Sequence, residues 1–78
     1  MKVYVAICID RHVDEYVRVF STPGLAIMCC RKFIPGRYKI EEKDLTQRMR
    51  DHGWIYWATY GVEGDNVRVE EREIDRCV

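Results

Sequence analysis

Residues 53–74 read GWIYWATYGVEGDNVRVEEREI. Two Trp and two Tyr fall within the seven residues from Trp54 to Tyr60, a Gly64-Asp65 turn signal follows, and Val67-Arg68-Val69-Glu70 then alternates. Aromatic and β-branched residues alternating around such a turn predict an antiparallel hairpin. With Gly64 and Asp65 at the centre of the turn, Val62 stands opposite Val67 and Tyr60 opposite Val69. Tyr56, Ala58 and Tyr60 then share one face, and Trp54 and Tyr60 are assigned to the core. Ile55, Trp57 and Thr59 take the other face, opposite Ile74, Arg72 and Glu70. The apolar phase changes between Val69 and Ile74, which predicts a bulge near Glu70-Glu71.

Working outward, residues 2–9 (KVYVAICI) are apolar on both alternating faces, as a central strand is. A polar DRHVD turn at 10–14 leads to a second alternating run, EYVRVF at 15–20, so a first hairpin is expected. Ser21-Thr22-Pro23 is a helix start, with a hydroxyl to cap free amides and Pro pre-set for the first turn. Ala26, Ile27, Cys30, Phe33 and Ile34 recur at helical spacing, and Pro35-Gly36 ends the run. Glu41 to Asp51 reads as a second, more polar helix: acids early, bases late, Asp44 and Arg48 four apart, Gly53 as its stop. The expected fold is α+β, an antiparallel four-stranded sheet in ββα(α)ββ order with the helices on one face.

The chain has 78 residues, enough for a single domain with a modest core. Thirteen basic residues balance thirteen acids. A dedicated non-specific nucleic-acid binder carries a basic excess, so that class is disfavoured. The opening MKVYVAICID is too short an apolar run for a signal peptide, and nothing approaches a membrane span, so a cytoplasmic protein off the membrane is expected. Cys8, Cys29, Cys30 and Cys77 form no C-x-x-C pair and read as reduced thiols.

Chemistry-bearing residues are few. Asp10, His12 and Asp14 are the one cluster resembling an acid–base or metal site, yet Asp and His equally suit a turn, and the turn is the preferred reading. The cysteines and histidines lack zinc-finger spacing, and Ser21 is better used at the helix start than as a nucleophile. No catalytic residue, metal or cofactor is therefore expected. Arg31, Lys32, Arg37 and Tyr38 lie in an acid-free stretch, RKFIPGRYK, which offers a nucleic-acid patch as the alternative function. Residues 63–75 carry the opposite bias, with Glu63, Asp65, Glu70, Glu71, Glu73 and Asp75 against Arg68 and Arg72. Trp57 is the sharpest single residue. On the helix-free face beside Arg72 it has the composition of an interface hot spot, with Arg68, Glu70 and Glu73 orienting the contact.

The strings Asp10-Arg11-His12, Val17-Arg18-Val19-Phe20-Ser21, Gly53-Trp54 and Tyr60-Gly61-x-Glu63-Gly64-Asp65 together resemble a class of small proteins of bacteria, phages and mobile elements. Size, absence of catalytic groups and compact α+β build are similar to phage-encoded anti-CRISPR proteins. These act stoichiometrically, binding a CRISPR effector and blocking target DNA or nuclease recruitment. The resemblance implies a monomeric, non-enzymatic protein-binding module, with a type I effector complex as partner.

Overall fold

Alternation along KVYVAICI does produce a strand, β1 (Lys2–Ile9), and its two apolar faces place it inside a sheet. A computed structural model describes residues 1–61 and 64–74. The expectations for Val62, Glu63, Asp75 and Cys77 lie outside the described residues. β1 is antiparallel to β2 (Tyr16–Phe20) on one side, with Ala6 opposite Arg18. On its other side it is antiparallel to β5 (Asp65–Glu73), with Ala6 opposite Val69. β4 (Trp54–Tyr60) follows, and β3 (Ile40–Glu42) closes the far edge, giving the order β2-β1-β5-β4-β3. The molecule is α+β with a five-stranded antiparallel sheet. No helix among the described residues is long and apolar enough to cross a membrane.

Helix α1 (Pro23–Phe33) starts where the sequence signals it. Thr22 is the cap, its hydroxyl accepting from the Leu25 amide at 3.4 Å, and Pro23 opens the first turn. Ile34 is already extended, as a residue before Pro35 should be. The buried stripe Ala26, Cys30 and Ile34 lies on Ala6, Cys8, Ala58, Tyr60, Val67 and Val69. Most of these are small, so the helix lies close to the sheet and little is gained per residue by burial.

Two expectations are corrected. Glu41 to Asp51 is not one helix, and the sheet has five strands rather than four. Residues 40–42 are strand β3, pairing Ile40 with Tyr60 and Glu42 with Ala58. The Lys43 amide continues that edge by donating to the Trp57 carbonyl at 2.9 Å. The open edge of β4 supplies hydrogen bonds that a helix turn at 40–42 would leave unused. Only α2 (Gln47–Asp51) is helical, capped by the Thr46 hydroxyl, which accepts from the Met49 amide at 3.2 Å. Asp44 lies ahead of that helix, so the expected Asp44–Arg48 helical pair does not arise.

The hairpin register also differs. Tyr60 stands opposite Asp65 rather than Val69, and Trp57 opposite Arg68 rather than Arg72. The ladder ends at Tyr60 and Asp65, and next to them Gly61 and Gly64 are both at positive φ, 68° and 81°. Both are left-handed positions that favour glycine, and the hairpin is not centred on the expected Gly64-Asp65 turn. The displacement is four residues, an even number, so the side chains beyond the loop keep their faces. The bulge falls on β4, where Trp54 opposes Glu70 and Tyr56 opposes Val69, and not in β5 itself. It turns Ile55 towards the core and Trp54 away from it. Gly53, at φ 88°, precedes the bulge, and a Cβ there would overlap the Arg72 guanidinium and meet the Glu71 carbonyl at 2.7 Å.

Candidate protein-binding surface

On β5, Arg68, Glu70 and Arg72 follow one another at every second residue and share the face away from α1. The Glu70 side chain is only 9% exposed. It accepts from Arg68 Nε at 2.6 Å through one oxygen and from the Arg72 guanidinium through the other. Arg72 also donates to the carbonyls of His52 and Glu71, each at 2.8 Å. A buried carboxylate between two guanidinium groups holds both in place, which lowers the entropy either would lose on meeting a partner.

β4 supplies aromatics beside this row. Trp54 lies opposite Glu70 and Trp57 opposite Arg68. Their rings meet edge to face, 6.2 Å apart at 71°. The Arg68 guanidinium lies 4.9 Å from the Trp54 ring centroid, so the stacked pair is Arg68 on Trp54 where Arg72 on Trp57 was expected. On the other flank β1 contributes half-buried Val3, Val5 and Ile7, opposite Arg72, Glu70 and Arg68. β2 adds Val17 and Val19, 50% and 59% exposed. The face thus runs from aliphatic through charged to aromatic. Four of the five residues singled out for protein binding, Trp57, Arg68, Glu70 and Arg72, come together on it. Glu73 does not: it lies on the opposite alternation, pairing with Lys2 in the ladder and accepting from the Met1 amino group at 2.9 Å. Sequence reasoning missed Trp54, because only the bulge moves it out of the core phase.

The basic segment is divided by the fold. Arg31 pairs with Glu42 at 2.7 Å, over the Tyr56 side of α1, and this carboxylate holds its guanidinium above the usual value. Lys32 lies on the other flank of α1, towards β2. Arg37 stacks on Tyr38 at 4.8 Å, and Tyr38 packs on Tyr60, their centroids 5.8 Å apart.

The Asp10 cluster is tied into the fold. One Asp10 oxygen accepts from the His12 amide and the other from the Tyr60 hydroxyl, both at 2.9 Å. These donors, the His12 amide first, hold its carboxyl below the usual range. The Arg11 amide donates to Asp65 at 3.0 Å. Two of the strings that carry the resemblance, Asp10-Arg11-His12 and Tyr60-Gly61-x-Glu63-Gly64-Asp65, therefore meet as a clamp between the first turn and the base of the last hairpin. The Tyr60 hydroxyl is pushed up, first by burial and then by the carboxylate it serves. Buried Cys8 is pushed up by a hydrogen bond with Cys30 and by burial, and Cys29 by burial, the reverse of what activates a thiol nucleophile. Among the described residues no group of three or more His, Cys, Asp or Glu side chains could hold a metal ion.

No family model, curated protein or solved structure matches the chain.

Proposed function

We propose that the chain is a non-enzymatic protein-binding module, and that the sheet face away from α1 is its contact surface. One observation carries the reading: a braced Arg68–Glu70–Arg72 row flanked by an edge-to-face Trp pair and exposed valines. Trp and Arg dominate interface energetics, and both are held before any partner arrives. Trp57 and Trp54 anchor the contact, and Arg68 and Arg72 orient it. Action is stoichiometric, by covering a surface the partner needs.

The partner class implied by the resemblance is a type I CRISPR effector complex, with target DNA binding or nuclease recruitment occluded. The test is a titration of the chain into a reconstituted effector with labelled target DNA. Inhibition saturating at a fixed stoichiometry, and weakened about 30-fold or more by Trp57→Ala, is the expected result. Unchanged inhibition by a folded Trp57→Ala chain would remove that residue from the interface. No inhibition at any ratio would remove the effector as partner.

A further inference from the structure

A second surface lies at the other end of the sheet and goes beyond the reading above. β2 is an edge strand, and its sequence, YVRVF, carries neither Pro nor a bulge to blunt that edge. Beside it, between β2 and α1, runs an apolar groove of about 380 Å³ lined chiefly by Tyr16, Phe20, Leu25, Met28 and Phe33. Tyr16 and Phe33 stack to form one end, centroids 5.5 Å apart. Leu25 and Met28 are 49% and 51% exposed on the helix side. Two cations flank the groove. Lys32 lines it, and Arg18, in the middle of β2, lies 5.2 Å from the Tyr16 centroid. Its lining includes no acid.

We propose that this edge and groove take an extended segment of a partner protein, added antiparallel to β2 as a sixth strand. Strand addition draws affinity from main-chain hydrogen bonds and specificity from alternate side chains in a pocket. Side chains opposite Tyr16 and Phe20 fall on the groove side, since those residues share the α1 face with Arg18. The segment therefore carries large aliphatic residues two positions either side of a carboxylate that meets Arg18. A second copy of β2 supplies no such carboxylate, because Tyr16–Phe20 contains no acid. Two-fold pairing centred on β2 would instead set Arg18 against its own counterpart, and like charges directly opposite are destabilising.

The probe is a fluorescein-labelled peptide, Ser-Leu-Thr-Glu-Val-Leu-Ser, read by anisotropy and by amide shifts of the chain. Saturable binding is expected, with shifts confined to β2 and α1. Replacing Glu by Lys in the peptide should weaken binding at least tenfold, and Arg18→Glu in the chain should reverse that preference. N-methylation of the peptide backbone and Met28→Lys in the chain should each abolish binding, circular dichroism confirming that the variants fold. No saturation, or equal binding of the Glu and Lys peptides, overturns the proposal. So does a concentration-dependent dimer in sedimentation that the peptide fails to dissociate, which would assign the edge to a second copy. The peptide reports on β2 alone, so its failure leaves the Trp57 surface standing.

Discussion

Tyr60 does more at the residue scale than its place in an aromatic run implies. Its ring is buried in the core, and its hydroxyl donates to Asp10 at 2.9 Å. Tyr60→Phe keeps the ring and removes the bond, at an expected cost of about 1 kcal/mol in urea denaturation. The loss has a pH signature. The folded pKa of Tyr60 lies above its ordinary value of 10.0, so this group's contribution is fully present below about pH 10 and is lost as pH rises through the folded pKa. Denaturation midpoints measured from pH 8 to 11 should fall less steeply for the Phe chain than for the native one. Nothing in the sequence announces this contact, because Asp10 and Tyr60 are fifty residues apart and neither belongs to the other's local pattern. The face of Trp57 was legible, since alternation alone decides it. The face of Trp54 was not, since it depends on an extra residue in β4.

Strand β5 brings the two flanks of the candidate surface together at the scale of elements. Glu70→Gln would leave Arg68 and Arg72 facing a neutral amide. We expect it to destabilise the chain by about 1–2 kcal/mol, less than a fully buried pair because Arg72 is 46% exposed and screened by solvent. It should also weaken partner binding through a looser Arg68, seen as a lowered side-chain order parameter at that guanidinium in NMR relaxation. Helix α1 is the other sensitive element. Ala26 is fully buried against the sheet, and Ala26→Leu should cost about 1–3 kcal/mol by overpacking, visible as a lowered thermal midpoint. Both hairpins and α1 were legible because alternation, caps and prolines agree there. β3 was not. Three residues are too few to show a period, and Glu41 and Glu42 resemble the acidic first turn of a helix. The hairpin register was hidden by two glycines, each a valid turn signal.

At the scale of the molecule, the two surfaces occupy different parts of one sheet: the Trp pair on β4, across β5 from the aliphatic strands, and the groove at the β2 edge. A partner could engage either without touching the other's anchors, so the experiments on Trp57 and on Arg18 separate cleanly. The strand order carries a further consequence, for biogenesis. β5 follows every other strand in the chain, yet it stands third of five across the sheet, with Glu73 returning to pair with Lys2. The first hairpin and α1 can assemble from local contacts, but the inner edge of β1 has no neighbour until β5 is made. At roughly 5–20 residues per second, a ribosome leaves that edge open for a time on the order of seconds. Sheet closure by so distant a segment is slow by topology. β1, interior in the finished sheet, is thus a strand whose second partner arrives last, and a nascent chain is most prone to wrong pairing along that inner edge.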